Sequence, residues 1–325
     1  MKFFVVGLGS MGKRRIRCLK ALGYDEITGY DPRKDRQDEA KQKYNIDTID
    51  TLEELVIDNI HAVVISTPPD KHNQWIKWAL DNRKPCFIEA SVIKDGLEEL
   101  NQIAKGNGIL IAPSCTLTFH PAIKDIKEIV KSGCYGKITN FSYHSGQYLP
   151  DWHTYEDVKD YYVSQRETGG TREIVPFELT WLVELMGLPT DVKCFYGETM
   201  DVGASIDDTY VIALNFNDNI YGSLIVDVAS RYATRSLILN MEKGQIVWRW
   251  DDGVVKVYDA INMRWVYYNT PQGETTAGYN KNIIEDMYID EVKSFIDAVK
   301  GVKAFPNTLH EDIQILNILY QAERG

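Results

Sequence analysis

Apolar residues recur along this chain in two rhythms, and the change between them divides it. Up to about residue 118, short apolar runs alternate with stretches of helical period, the pattern of a parallel sheet covered by helices. Phe3–Val6, Glu26–Tyr30, His61–Ser66, Cys86–Glu89 and Ile109–Ala112 read as strands. Helices are expected after Gly12, over His72–Asn82 and over Leu97–Gly106, with a short strand and a helix within Tyr44–Val56. Beyond that point the rhythm changes. Lys137–Ser145 alternates like a half-buried strand, and a polar, aromatic segment, Gly146–Gly170, follows. Thr171–Met186 reads as a helix stopped by Gly187 and Pro189, with Pro176 predicting a kink or a late start. From Thr209 onward, strands are separated by turn signals at Asn217–Asn219, Glu242–Gly244 and Asp251–Gly253, which predicts an antiparallel meander with one face free. Helices over Ile284–Val299 and Leu309–Glu323 complete the pattern.

The first strand runs directly into Gly7-Leu8-Gly9-Ser10-Met11-Gly12, and Asp31 follows nineteen positions after the last glycine. A lone G-x-G-x-x-G says little, but between a strand and a helix, with an acid at this distance, it describes a dinucleotide cradle. Gly7 permits the turn off the strand, Gly9 lets backbone amides approach a pyrophosphate, and Gly12 lets the helix pack close to the sheet. The helix N-terminus, beginning at Ser10 and Met11, attracts phosphate charge. Asp31 can accept hydrogen bonds from a ribose and disfavours a 2′-phosphate, which favours NAD. Arg33 and Lys34 follow at once and could neutralise that phosphate, so NADP stays open. The fold expected is a Rossmann dinucleotide-binding α/β domain over residues 1–118. An α+β domain with a large, partly open antiparallel sheet follows over residues 119–325, its last helices packing back towards the first domain.

Composition narrows the function classes. At 325 residues the chain is long for one core. A net charge of −11 argues against a nucleic-acid partner. No apolar run reaches the length of a membrane span, and the short apolar start is expected to be a strand rather than a leader. Five scattered cysteines, with no Cys-x-x-Cys pair, suit a reducing cytoplasm and argue against a metal cluster. The basic stretch Lys13–Arg17 is expected to be mostly solvated helix face.

The chain resembles the Gfo/Idh/MocA oxidoreductase family, named for glucose–fructose oxidoreductase, inositol dehydrogenase and a rhizopine-catabolism protein. The resemblance rests on Val6–Gly12, on Ser66-Thr67-Pro68-Pro69-Asp70-Lys71-His72, on Phe119-His120-Pro121-Ala122, on Gly169-Gly170 and on Asn307–Leu316. It implies an NAD(P)-dependent oxidoreductase of sugars or nucleotide sugars, assembled as a homodimer or homotetramer. It adds Ser66, Thr67, Pro68, His72 and Glu89 to the cofactor side, and His120 to the substrate side. The family's usual Glu-Lys-Pro reads Glu89-Ala90-Ser91 here, and its aspartate and histidine, four residues apart, read Glu173 and Phe177. Oxidation of a carbinol needs a base for the hydroxyl proton, so the usual machinery is missing.

Replacement groups lie in the aromatic segment and at the helix that follows it. Tyr148 and His153 could move a proton, while Glu173 and Arg172 supply charge at the helix start. Trp152 offers a face for a sugar ring, and Glu178 lies beside the face carrying Glu173. Three activities remain open: oxidoreduction with other proton-transfer groups, binding of cofactor and sugar without turnover, or epimerisation through transient oxidation with a tightly held cofactor.

Overall fold

The computed structural model describes residues 1–152, 157–270 and 284–324. The chain forms two compact units, one of Met1–Cys115 with Tyr288–Ile313, the other of Thr116–Met287 with Gln314–Gly325.

The first unit is built on a six-stranded parallel sheet. Its strands are β1 (Phe3–Val6), β2 (Ile27–Tyr30), β3 (Asp47–Thr48), β4 (Ala62–Ile65), β5 (Cys86–Ile88) and β6 (Ile111–Pro113), in the order β3-β2-β1-β4-β5-β6. Helices α1 (Ser10–Ala21), α2 (Lys34–Tyr44), α3 (His72–Asp81) and α4 (Leu97–Asn107) connect them. β1 and β4 are buried along their whole length, which is why their sequences are unbroken apolar runs rather than alternating ones. The helix expected to end near Val56 is replaced by single turns over Leu52–Glu54 and Ile57–Asn59. Thr51 and Glu54 form a reciprocal capping box there, but so short a segment cannot offset the cost of nucleating a longer helix.

The second unit carries helices α5 (Pro121–Lys131) and α6 (Thr171–Met186) on one face of an eight-stranded sheet. Its strands are β7 (Ile138–Tyr148), β8 (Asp191–Gly197), β9 (Thr209–Phe216), β10 (Ile220–Asp227), β11 (Ala229–Met241), β12 (Gly244–Arg249), β13 (Val254–Asp259) and β14 (Arg264–Asn269). The order is β14-β13-β12-β11-β7-β10-β9-β8, so the sheet is not a simple meander. β7 lies between β10 and β11 and pairs with β10 in parallel. Asp227 accepts hydrogen bonds from the amides of Ala229 and Ser230, bending the chain at the end of β10 so that β11 passes to the far side of β7. Two further helices follow in sequence, α7 (Glu285–Val299) and α8 (Leu309–Ala322).

Candidate functional site

In the first unit, β-sheet register brings the expected cofactor residues to one edge. Val6 pairs with Tyr30 and Ile65, and Ile65 pairs with Ile88. The next residue on each strand is therefore Gly7, Asp31, Ser66 and Glu89. Hydrogen bonds from Gly7 N to Tyr30 O, Ser66 N to Val6 O and Glu89 N to Ile65 O continue the ladder to that edge.

The glycines test whether a dinucleotide fits. A Cβ on Gly7, which has φ +86°, would stand 2.5 Å from the Ser66 carbonyl oxygen, and one on Gly12 would stand 1.8 Å from the Gly7 carbonyl oxygen. Both positions are closed by the protein's own backbone. Gly9 differs: a Cβ there meets only the end of the Arg36 side chain, at 3.4 Å. The space above Gly9, at the N-terminus of α1, is open, as a pyrophosphate requires. The chain's residues fit the cofactor.

Around this cradle, several groups are positioned differently from expectation. Asp31 is buried, accepting from Leu8 N at 2.8 Å and from Arg33 N at 2.9 Å. Arg33 turns outward onto Asp35, whereas Arg36 reaches back to within 3.7 Å of Asp31 Oδ2. Arg14 and Arg15, expected on a solvated face, are both buried. Arg15 donates to both oxygens of Glu89, at 2.6 and 2.8 Å, and to Glu291 of α7 at 2.7 Å. The Phe87 and Tyr288 rings flank its guanidinium. Burial opposes its charge, yet Glu89 and Glu291 hold its pKa well above the ordinary arginine value. Glu89 is thus committed to Arg15, with Ser66 Oγ also donating to it at 3.3 Å. His72 is buried at the start of α3, and burial pulls its pKa down to about 4. The neutral ring donates to the Thr67 carbonyl at 2.9 Å, fixing the Thr67-Pro68 turn after β4.

In the second unit, Glu173 occupies the first turn of α6 and is half-buried. The Tyr162 hydroxyl lies 2.9 and 3.0 Å from its two oxygens. The glycine pair before α6 makes this possible. A Cβ on Gly169 would stand 2.1 Å from Val163 Cα, so only glycine lets the Tyr161–Gln165 turn lie against the helix start. Tyr162 lies within the aromatic segment Gly146–Gly170, and nothing local in the sequence distinguishes it from the neighbouring Tyr161.

Other expected residues serve the fold. His120, expected at a substrate, is buried and caps α5: its Nδ1 accepts from Ala122 N at 3.2 Å, and its ring meets Trp248 edge-on. Glu178 is fully buried, not on an accessible face. Its oxygens accept from Tyr143, Ser145 and Arg235, joining α6 to β7 and β11. Arg172 holds Glu323 bidentately at 2.6 and 3.0 Å instead of standing free at the helix start. Tyr148 ends β7, with the Arg231 guanidinium 3.9 Å from its ring centroid. Trp152 is half-buried after the turn Leu149–Asp151. His153 lies outside the described residues.

Comparison with known proteins agrees with this architecture. Residues 1–111 match the profile described as an oxidoreductase family with an NAD-binding Rossmann fold, and residues 123–247 match the GFO/IDH/MocA C-terminal domain. A dTDP-3,4-didehydro-2,6-dideoxy-alpha-D-glucose 3-reductase from Actinomadura kijaniata is 24% identical over 143 residues, 42% of this chain and 43% of that protein. The chain spans 32% and 43% of the lengths of the two curated relatives it matches. An Agrobacterium radiobacter oxidoreductase solved with NAD+, L-tartaric acid and magnesium superposes with a TM-score of 0.86 at 13% identity, covering 100% of this chain and 96% of that one. Levoglucosan dehydrogenase in complex with NADH gives 0.83 at 16% identity, with the same coverage. Among the described residues no helix is long and apolar enough to cross a membrane. With both of its characteristic domains matched in sequence and its fold matched along its length, the chain belongs to the Gfo/Idh/MocA oxidoreductase family, its first unit an NAD-binding Rossmann domain.

Proposed function

We propose that this protein is an NAD-dependent oxidoreductase of a sugar or nucleotide sugar, in which Tyr162 and Glu173 replace the missing lysine and histidine as the proton-transfer pair. The observation that carries the reading is the phenol of Tyr162 resting on both oxygens of Glu173 at the first turn of α6. The similar proteins support the substrate class, since one is named as a nucleotide-sugar reductase and another as a levoglucosan dehydrogenase.

When bound, a nicotinamide cofactor held at the Gly7–Gly12 loop would supply hydride-transfer chemistry. Tyr162 handles the proton. In oxidation its oxygen would take the substrate's hydroxyl proton while its own proton passes to Glu173. Glu173 is half-buried and can release the proton to water. Positioned acid–base groups of this kind contribute about 10²–10⁴-fold in rate. Arg172, tied to Glu323, and Thr171, donating to the Asp208 carbonyl at 2.6 Å, keep the helix start rigid.

The experiment is to mix the protein with NAD(H) and a panel of sugars and activated sugars while following nicotinamide absorbance. Cofactor binding without turnover on any of them sinks the reading. It would leave a second one, a sugar-binding regulator. That alternative is favoured by Ala90 at the end of β5, where the neighbouring Glu89 is locked to Arg15.

The face of the eight-stranded sheet opposite α5 and α6 exposes Phe195, Val211, Tyr221, Ile238, Trp265 and Tyr267. An apolar face of this kind fits a second copy of the chain, giving a homodimer or homotetramer that light scattering would detect. The five cysteines are all free thiols, consistent with a cytoplasmic protein.

A further inference from the structure

β11 does not pair evenly along β7. Between its pairing of Ala229 with Tyr148 and of Thr234 with Gly146 it advances five residues against two on β7, so residues 230–233 form a bulge beside the end of that strand. Asp227 holds the bulge in place. It accepts from the amides of Ala229 and Ser230 and from Ser230 Oγ, and His144 Nε2 lies 2.6 Å from its Oδ2. A Cβ on Gly146 would stand 2.3 Å from Ser230 Oγ and 2.8 Å from Ser230 Cβ, so glycine lets the bulge lie this close to β7. On its other side Tyr232 lies against Trp250 and donates to Asp251 at 3.3 Å.

The bulge presents Arg231. Its guanidinium lies 3.9 Å from the Tyr148 ring centroid, its side chain is exposed, and no carboxylate among the described residues pairs with it. Other arginines of this unit are taken: Arg172 by Glu323, Arg235 by Glu178, Arg166 by Asp207 and Arg249 by Asp251. In a chain of net charge −11, a guanidinium set on an aromatic face without an acid is the exception. Contact with a ring face leaves its in-plane N–H donors for a ligand. A second donor lies in the turn after Tyr148. The Trp152 amide bonds to the Leu149 carbonyl at 3.0 Å, and its indole Nε1 is buried with no acceptor among the described residues. A buried donor of this kind calls for a partner that a ligand can supply.

A relay of hydrogen bonds puts these donors at the end of the sheet that carries the Tyr162–Glu173 pair. Leu149 N donates to the Val228 carbonyl at 3.0 Å and Val228 N to the Asp208 carbonyl at 2.9 Å. Thr171 Oγ1, at the start of α6, donates to the same Asp208 carbonyl at 2.6 Å. Two strand spacings, about 10 Å, thus separate the end of β7 from the start of α6. One sugar ring together with an arginine side chain bridges that span.

We propose that Arg231, held on Tyr148, binds the carboxylate of a sugar acid, with the Trp152 indole N–H as a further donor, so that the substrate is an acidic sugar rather than a neutral one. The inference rests on the sugar-oxidoreductase reading and names its substrate class. One guanidinium matches one carboxylate in charge and in its two parallel donors. A phosphate monoester carries about two negative charges at neutral pH, and the groups fixed on either side of the bulge, Asp227 and Asp251, are acids that would repel the second.

The test is calorimetric titration of the full chain, with NAD+ present, using D-glucuronate, D-galacturonate and D-mannuronate, each compared with its hexose and its hexose 1-phosphate. The best-bound uronate exceeds its own hexose by roughly tenfold or more, the worth of a charge-assisted pair. Arg231→Ala removes that margin and Arg231→Lys keeps part of it. Arg249→Ala, whose guanidinium Asp251 already holds, leaves the margin intact. Thermal melting of each variant checks folding. Uronates that bind no better than their hexoses overturn the proposal and leave the oxidoreductase reading standing. So does a margin that survives in Arg231→Ala, or tighter binding of the 1-phosphates, which would put a phosphoryl group on Arg231. A margin lost in Arg231→Ala, with no turnover of any sugar, upholds the carboxylate site and sinks the oxidoreductase reading instead.

Discussion

Arg15 and Glu89 form a bidentate pair, both contacts under 3 Å, that ties α1 directly to the end of β5 beneath the glycine cradle. Glu291 of α7 closes the other side of the guanidinium and also accepts from Ser114 Oγ and Cys115 N. Removing the arginine leaves the buried Glu291 carboxylate and the partly exposed Glu89 carboxylate without their shared cation. Arg15→Met should therefore destabilise the first unit by about 3–5 kcal/mol, the usual cost of breaking a buried ion pair from one side. Urea unfolding of the full chain measures this, and an unchanged midpoint would show the network to be dispensable.

The three cradle glycines should separate into two kinds. Gly12→Ala places a methyl group on the Gly7 carbonyl and should unfold the loop, lowering the melting temperature and abolishing cofactor binding together. Gly9→Ala meets only a flexible arginine end, so the chain should melt normally while NADH affinity drops at least tenfold. A Gly9→Ala variant with wild-type affinity would place the pyrophosphate elsewhere.

His120 gives stability a pH dependence of known sign. Burial, with help from Arg235 and Lys124, lowers its pKa to about 3 from the ordinary histidine value of 6.5. The unfolded chain therefore binds the proton more readily, and the contribution of the neutral ring is present above 6.5 and lost as pH falls towards 3. His120→Asn keeps an oxygen to cap α5 but does not titrate. It should flatten the acid side of a stability-versus-pH curve without lowering stability at neutral pH. A curve identical to the wild type's would place the acid sensitivity in other groups.

Asp312 acts with the opposite sign. Burial raises its pKa to about 7 from 3.8, although a hydrogen bond from Asn307 partly counters the shift. The folded state binds its proton more tightly, so stability is highest below 3.8 and declines as pH rises to about 7. Asp312→Asn should stabilise the protein at neutral pH and remove that decline, as chemical denaturation at several pH values would reveal. Lower stability at neutral pH in the variant would contradict this.

The parts legible in the sequence are those whose causes are local. The glycine loop, the strand ends and the helix after Gly170 follow from short-range periodicity and turn chemistry. What stayed hidden depends on partners far along the chain. Arg15 reads as a surface residue from the sequence because Glu89 lies 74 positions away and Glu291 lies 276 away. Arg172 reads as available because Glu323 is 151 residues distant. The placement of β7 between β10 and β11 is a matter of register, which alternation alone does not encode. The placement of Tyr162 on Glu173 depends on Gly169, which allows its turn to approach α6 so closely.

The rate at which Tyr162→Phe turns over whichever sugar the wild type accepts, compared at saturating cofactor, tests the proton-transfer pair most directly. Phenylalanine keeps the ring and removes the group that carries the proton. The variant should bind NADH as the wild type does while kcat falls by about 100-fold or more. An undiminished kcat with intact cofactor binding would show that the proton leaves by another route and that Tyr162 and Glu173 are not the pair that moves it.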